Sequence, residues 1–370
     1  MAARITGVQT LPLPGLGTAT WETVPEWALP AVRTPRAQHW PDNRTRLAVE
    51  ITTQDETGWF GPIGAPVARL ITEQLGPSLV GRDAVTWRWL EGLQLAGRHQ
   101  QGPHARMALS AVELALWDLR SRLLRRPVTE LLGGALREHV PAYATALGFD
   151  IDHPLAADLA RWIAEEGFWA QKWRLPGCTR GEPVQADIAR LARLRAAMGE
   201  QARFCLDVGG SWDRSYARQL LPALAEHQVA WVEEPAPVPP RWFAEAGIAV
   251  AGGEHNVDLD DQHRSMLSED VQVWQPEPAW NGGLGPTLRL VDLATAEGLL
   301  TCPHGTALSV ASLLAGLHTA EQVPAVEYHL TLEPLRQGGI HLPLAPDAGW
   351  LPVRATPGLT DSDVSGRGLG

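Results

Sequence analysis

The sequence predicts an α/β protein in which a (β/α)8 barrel follows a smaller α+β unit, and three observations support this prediction. The chain has 370 residues, enough for one large and one smaller domain, with 45% hydrophobic and 20% charged residues as in globular proteins. Strand patterns precede helix patterns in the first third. From about residue 140 onward, short apolar segments alternate with helix patterns.

The N-terminal third has the order of an α+β unit. Residues 3–13 alternate in polarity like a strand, and residues 45–63 predict two strands joined by a turn. Helical patterns follow, beginning near Ala65, Trp87 and Ala105.

The rest of the chain contains eight apolar segments separated by alanine- and leucine-rich helical stretches. In order, the segments are residues 140–145, 168–175, 202–208, 229–234, 248–254, 271–277, 299–305 and 325–330. Eight βα units within about 200 residues are typical of a (β/α)8 barrel. An open, doubly wound sheet is the competing fold, but no glycine-rich phosphate loop follows any segment.

Charge and composition exclude several classes of partner. The formal net charge of −11 disfavours a nucleic acid or an anionic membrane, because phosphate binding needs a basic surface. The three cysteines show no CxxC spacing, and an odd number suits a reducing compartment. No signal sequence and no run of about 18 apolar residues is evident. We therefore expect a cytoplasmic protein with neither a nucleic-acid nor a membrane partner.

Polar side chains gather where the predicted strands end. The segments end, in order, with Asp207, with Glu233 and Glu234, with Glu254, with Glu277 and with His304. Because the carboxyl ends of barrel strands surround one mouth, carboxylates from three consecutive strands converge there. Oxygen ligands with open positions suit Mg²⁺. We predict that Asp207, Glu233 and Glu254 bind Mg²⁺ and that Glu234 supports them or caps a helix; capping by every acid is the alternative.

Lys172 is the only lysine among the 31 lysine and arginine residues. It lies on the second predicted barrel strand, where side chains two positions apart share a face, so Lys172 and Arg174 point the same way about 6–7 Å apart. If that face is the barrel lumen, both cations lie beside the metal-binding carboxylates and can stabilise an anion. A leftover surface lysine in an arginine-rich composition is the alternative.

Two histidines are candidates for proton transfer. His304 ends one strand next to the strand that ends with Glu277, and a carboxylate beside an imidazole fixes its tautomer and raises its basicity. His304 is therefore the candidate general base, although a lone strand-end histidine is also compatible with a structural role. His255, directly after Glu254, is the weaker candidate.

The order of these residues resembles the mandelate racemase and muconate lactonizing branch of the enolase superfamily. The matching positions are Lys172, Arg174, Asp207, Glu233-Glu234-Pro235, Gly253-Glu254, Pro276-Glu277, His304 and Glu327, and the stretch 110–134 is similar to the family's junction between two domains. The resemblance implies a modified (β/α)8 TIM barrel at 131–340, an N-terminal α+β capping domain at 1–130, and a C-terminal segment at 341–370 that returns to it. We also expect a homo-oligomer.

The resemblance further implies Mg²⁺-assisted removal of the proton α to a carboxylate. Lys172 would neutralise the substrate carboxylate, His304 with Glu277 would be the base on one face, and Glu327 would donate a hydrogen bond as a neutral acid. Such a weakly acidic proton requires electrostatic stabilisation of the developing dianion.

Two positions depart from the family pattern. The second residue of the family's Lys-x-Lys pair is a base on the opposite face, and here it is Arg174, whose pKa above about 12 makes it a poor base. The partner of the histidine is usually Asp and here is Glu277, one methylene longer. A single base disfavours racemisation and suits β-elimination, in which His304 or His255 helps the C3 hydroxyl leave.

Several motifs are similar to those of acid-sugar dehydratases of the rhamnonate type. They are Gly253-Glu254-His255, Pro303-His304-Gly305 and His39-Trp40. The resemblance implies a small carboxylate substrate, an acid sugar, under loops of the capping domain. Candidate substrate-binding residues are Trp21, Arg36, His39, Trp40, Arg44 and the turn 60–64.

Three other functions are the alternatives to a dehydratase. A racemase or epimerase would need a different second base. A metal-dependent amidohydrolase would carry a His-x-His pair on the first barrel strand, and residues 140–145 contain no histidine. A catalytically silent relative that serves as a binding protein is consistent with Arg174 and Glu277.

Overall fold

The computed structural model describes residues 3–13, 24–32, 46–86, 89–90, 92, 102–256, 259–268, 270–333 and 344–360. Its first sheet contains three antiparallel strands in the order β1 (Gly7–Pro12), β2 (Leu47–Thr52) and β3 (Thr57–Ile63). The Thr53 hydroxyl accepts bonds from the Asp55 and Glu56 amides, which closes the predicted turn between β2 and β3.

Helices cover this sheet. A 3₁₀ helix spans Glu26–Ala31, and α1 (Ala65–Leu70) continues through a π turn (Ile71–Leu75) into α2 (Gly76–Leu79). The long helix α3 (Pro103–Leu124) packs on β3. At Gly58 a Cβ atom would lie 2.5 Å from Leu119, so the glycine allows α3 to approach the strand closely.

The second sheet contains the eight predicted barrel strands, all parallel. They are β4 (His139–Thr145), β5 (Gln171–Trp173), β6 (Phe204–Asp207), β7 (Val229–Glu233), β8 (Ala249–Gly252), β9 (Val273–Trp274), β10 (Leu300–Thr301) and β11 (Val326–His329). Pairing runs in sequence from β4 to β10, and β11 pairs with β4. The Thr301 amide donates to the Gln322 carbonyl at 3.0 Å and the Glu327 amide to the Pro303 carbonyl at 3.3 Å, which links β10 to β11. The predicted barrel is confirmed.

The barrel strands alternate with helices, as the βα pattern predicts. These are α4 (Val128–Leu131), α5 (Ala156–Glu165), α6 (Gly177–Arg180), α7 (Val184–Met198), α8 (Arg214–Glu226), α9 (Arg241–Glu245), α10 (Leu259–Leu267), α11 (Leu284–Ala296) and α12 (Leu308–Gly316). Asp213 caps α8 by accepting from the Tyr216 amide at 2.8 Å.

Several strands end earlier than the sequence predicts. The segment 248–254 forms a strand only at Ala249–Gly252, because Gly253 has φ +126° and leaves the extended conformation. Glu254 consequently lies in a turn beyond β8 rather than on the strand. The turn carries it over the barrel mouth.

Helix α3 ties the N-terminal unit to the barrel and to the C-terminal segment. Glu113 accepts from the Leu284 and Gly285 amides at 2.8 and 2.9 Å, so it holds the positive end of α11. Burial raises the pKa of Glu113 to about 7. Buried Asp118 accepts from the Leu359 and Thr360 amides at 2.5 and 3.0 Å.

The C-terminal stretch contacts both units. Strand β12 (Trp350–Pro352) pairs antiparallel with β4, and the residues after it reach α3 through Asp118. In the part of the chain described here, no helix is both long and apolar enough to cross a membrane.

Candidate active site

Lys172 lies on β5 with only 1% of its surface exposed. Its ammonium is 2.7 and 2.8 Å from the two oxygens of Glu233 and 2.8 Å from Glu327 Oε1. Although burial alone would lower the pKa of Lys172, these two carboxylates raise it well above its usual value. The two carboxylates therefore favour the protonated form of Lys172, in which it can stabilise an anion.

The alternation of β5 directs Lys172 and its neighbours to opposite sides. Gln171 points to the helical layer, where its amide donates to the Ala160 carbonyl at 3.0 Å, and Trp173 donates to Gln171 at 2.8 Å. Arg174, two residues after Lys172, points to the mouth.

Arg174 is paired with Asp207 at the end of the adjacent strand β6. Its Nη2 atom is 2.7 Å from Asp207 Oδ1, and the arginine side chain is 49% exposed while that of the aspartate is 11% exposed. Gly209 adjoins the pair: it has φ +48°, and a Cβ there would lie 3.0 Å from Arg174 Nη2. The glycine leaves the space that the guanidinium enters.

Glu233 lies beside Asp207, because the two residues are Cα partners in the pairing of β6 with β7. Besides Lys172, Gln275 donates to Glu233 at 2.6 Å. Burial raises the pKa of Glu233 to about 8, an effect that Lys172 opposes and Asp207 reinforces. The ends of β6 and β7 therefore place two carboxyl groups side by side.

His304 lies between two carboxylates. Its Nδ1 is 2.8 Å from Glu277 Oε2, and its Nε2 is 2.8 Å from Glu254 Oε2. Burial lowers the pKa of the imidazole, but Glu327 and these two partners raise it well above its usual value. Glu277 is itself fixed, since its other oxygen accepts from the Ala279 amide at 2.8 Å. Glu277 and Glu254 thus orient the ring of His304, and the surrounding carboxylates favour its protonated form in this structure.

The extra methylene of Glu277 does not prevent this dyad. Glu277 is buried, and Trp280 lies against His304 with ring centroids 5.3 Å apart. Packing and the carboxylate together fix the ring orientation.

The role of Glu327 as a neutral acid stays a prediction. Burial raises the pKa of Glu327, but Lys172 and His304 outweigh burial and lower it below its usual value. Its oxygens accept from the Thr145 hydroxyl at 2.5 Å and from the Gly305 amide at 3.2 Å. Glu327 Oε1 also lies 2.8 Å from the Lys172 ammonium and orients it.

His255 forms a second imidazole–carboxylate pair. Its Nδ1 is 2.8 Å from Glu234 and 3.2 Å from Glu254 Oε1, and its side chain is 64% exposed. The bond to Glu234 is the main reason that the pKa of His255 is raised. The sequence did not predict that Glu234 pairs with His255. The structure shows that Glu234 has φ +46°, an uncommon conformation that cannot be recognised from the sequence.

The predicted metal ligands are neighbours, but they are not gathered around one point. Among the described residues, the side chains whose ligand atoms all lie within 4.8 Å of one another are those of Glu234, Glu254 and His255. Asp207 and Glu233 are absent from this group. They are instead turned to Arg174 and Lys172, respectively.

The donor chemistry and charge of the mouth nevertheless fit Mg²⁺. The carboxylates surrounding the site are Asp207, Glu233, Glu254, Glu277 and Glu327, against the permanent cations Lys172 and Arg174. The carboxylates outnumber these cations, and Asp207, Glu327 and Glu254 add to the effect of burial in raising the pKa of Glu233. A hard divalent cation with oxygen ligands would relieve it.

Sequence reasoning also missed Thr145, Gln275 and Trp280, which hold Glu327, Glu233 and the two histidines. No motif marks them, because each acts through a residue distant in sequence. The predicted substrate-binding residues Trp21, Arg36, His39, Trp40 and Arg44 lie outside the described residues.

Comparison with known proteins identifies relatives over most of the chain. A D-galactonate dehydratase of Ralstonia pickettii (strain 12J) is 29% identical over 311 residues, which cover 80% of this chain and 78% of that protein. Among solved structures, a 3,6-anhydro-D-galactonate cycloisomerase from Zobellia galactanivorans has a TM-score of 0.76 at 24% identity, covering 98% of each chain. A magnesium-bound racemase from Streptomyces coelicolor A3(2) has a TM-score of 0.72 at 24% identity, covering 96% of each.

Two family models match the chain. Residues 47–133 match the mandelate racemase/muconate lactonizing enzyme N-terminal domain, and residues 154–360 match the enolase C-terminal domain-like family. The second match alone covers more than half of the chain. By its sequence and its fold, the chain belongs to the mandelate racemase/muconate lactonizing enzyme family of enolase-like proteins.

Proposed function

We propose that this protein is a Mg²⁺-dependent dehydratase of acid sugars that uses one base. The observation that carries the proposal is the His304–Glu277 dyad facing buried Lys172, while Arg174 occupies the position of a second base. The D-galactonate dehydratase relative supports both the reaction and a sugar-acid substrate. Carboxylates at the ends of β6 and β7 and just beyond β8 support the metal requirement.

In the proposed reaction, His304 accepts the C2 proton of the substrate on Nε2. The electron pair of the broken C–H bond moves into the carboxylate to form an enediolate, which Lys172 stabilises by its positive charge. The enediolate then expels the C3 hydroxyl, which leaves as water after receiving a proton from His304 or from His255. The resulting enol tautomerises to a 2-keto-3-deoxy acid.

A neighbouring carboxylate orients each of the three side chains in this scheme. Glu277 binds Nδ1 of His304, so Nε2 is the nitrogen that would accept the C2 proton; in this structure Nε2 lies 2.8 Å from Glu254, a proposed metal ligand that would release it on binding Mg²⁺. Glu327 holds Lys172 at 2.8 Å and prevents its ammonium from turning away. Glu234 orients His255 in the same manner.

Asp207, Glu233 and Glu254 would hold Mg²⁺, which supplies positive charge that makes the C2 proton more acidic. This assignment predicts that Mg²⁺ raises the melting temperature of wild type, by an amount set by its concentration relative to Kd. Glu233→Gln removes one charged ligand and should weaken Mg²⁺ binding and lower turnover.

Titration calorimetry of Mg²⁺ into the purified proteins checks this prediction. Glu226→Gln, at an exposed position of α8, is the matched control and should bind like wild type. If Glu233→Gln binds Mg²⁺ and turns over as wild type does, the ligand assignment is wrong.

The proposed activity is tested by incubating the protein and Mg²⁺ with a library of aldonic and 6-deoxyaldonic acids, including D-galactonate. We expect at least one acid to yield a 2-keto-3-deoxy product. If every acid sugar is left unchanged while Mg²⁺ binds, the protein is a silent relative or acts on another carboxylate.

A further inference from the structure

We propose that Arg174 is a built-in competitor of the divalent cation at Asp207: it neutralises the carboxylate before the ion binds and must leave it when the ion arrives. The inference rests on the proposed Mg²⁺ site. It assigns to Arg174 a function in setting the affinity for the ion, distinct from the missing second base.

The pairing of charges between strands is the first observation. Lys172 on β5 pairs with Glu233, and Arg174, one residue beyond β5, pairs with Asp207. Glu233 and Asp207 are themselves Cα partners between β7 and β6. Each of these two predicted ligand residues is thus already bonded to one cationic side chain. A divalent cation at Asp207 would therefore have to displace or oppose the charge of Arg174.

The second observation is that space has been left for the guanidinium. A Cβ at position 209 would lie 3.0 Å from Arg174 Nη2 and 3.2 Å from Asp207 Oδ1, closer than most real contacts of a Cβ. Gly209 also has φ +48°, a conformation that disfavours other residues. The lack of a side chain at Gly209 therefore leaves room for the Arg174–Asp207 ion pair. A larger residue at this position would displace the guanidinium from the carboxylate oxygen.

Differences in exposure show which of the two cations can leave. The side chain of Lys172 is 1% exposed and bonds two carboxylates, so moving it would expose buried charge. That of Arg174 is 49% exposed and bonds Asp207 through one nitrogen. An arginine so placed exchanges its partner for water at little cost. Arg174 is thus the exchangeable cation, while Lys172 stays to serve the substrate.

Competition has a measurable consequence. Mg²⁺ binding at Asp207 must break the partly exposed Arg174–Asp207 ion pair and is also opposed by the positive charge of Arg174. Removing the guanidinium should therefore tighten Mg²⁺ binding by about 3- to 10-fold. The same change should lower the melting temperature of the metal-free protein, because Asp207 then lies unpaired beside Glu233. Added Mg²⁺ should restore more stability in the variant than in wild type.

Calorimetric titration of Mg²⁺ into metal-stripped wild type, Arg174→Gln and Arg174→Met tests the proposal. Met keeps the apolar stem without the charge, so it provides a second measurement if Gln perturbs the fold. Arg174→Lys retains a cation and should stay within about twofold of wild type. Arg161→Gln is the control, since Arg161 forms a similar 2.7 Å pair with Asp158 at a 52% exposed surface position.

Tighter binding by Arg174→Gln and Arg174→Met, with no change in Arg161→Gln, is the expected result. Equal or weaker binding by the two variants, with normal binding by wild type, overturns the competition and leaves the proposed Mg²⁺ site intact. Mg²⁺ binding by the two variants with none by wild type would also support the proposal, because Arg174 would then exclude the ion completely. If none of the proteins binds Mg²⁺, both this inference and the metal requirement of the proposed function fail.

Discussion

His304→Asn should abolish exchange of the C2 proton of any acid sugar that the protein turns over. His304 is the imidazole held between Glu277 and Glu254 at 2.8 Å on each side, and Arg174 cannot replace it as a base. Positioned general bases contribute about 10²–10⁴-fold, so both exchange and dehydration should fall by at least that range. Proton NMR in D₂O measures the exchange directly.

The control for this variant is His263→Asn, at an exposed position of α10. It should exchange and dehydrate like wild type. Both variants should keep the circular dichroism spectrum of wild type, because Asn is smaller than His and polar. Continued C2 exchange in His304→Asn would place the base elsewhere.

Lys172→Arg should lose most activity but retain slow, detectable exchange. The ammonium occupies a buried space 2.7–2.8 Å from Glu233 and Glu327, where a planar guanidinium cannot reproduce its contacts. Loss of one preorganised donor to the developing anion costs about 10²–10³-fold in rate. Values of kcat and kcat/KM measure the loss, and the melting temperature shows whether the larger side chain is accommodated.

Lys172→Arg should slow C2 exchange, whereas His304→Asn should abolish it, because only the lysine variant still contains the base. Arg161→Lys on the surface is the matched control for exchanging the two cations, and we expect wild-type rates. Near wild-type turnover of Lys172→Arg would mean that the single lysine reflects composition rather than chemistry.

The fold was largely predictable because hydrophobic periodicity is a local property. All eight barrel segments and the three strands of the N-terminal sheet appear where the pattern places them. Strand ends were less accurate, because they depend on backbone conformation: Gly253, at φ +126°, ends β8 before Glu254.

The site was predictable in its residues and less so in their partners. Strand order alone placed Lys172 near the carboxylates, but the register that sets Asp207 beside Glu233 depends on how the strands stagger around the barrel. The lowered pKa of Glu327 follows in part from Lys172 at 2.8 Å, a contact between strands far apart in sequence. Local patterns carry no information on such distances.

The most direct test of the account is one proton NMR experiment in D₂O, with Mg²⁺ and an acid sugar that the protein consumes. A single base with Arg174 opposite predicts that the acid is converted to its 2-keto-3-deoxy product, and that unreacted substrate keeps its C2 configuration even where its C2 proton has exchanged for deuterium. Accumulation of the C2 epimer carrying deuterium would contradict the account, because inversion requires a second base on the opposite face.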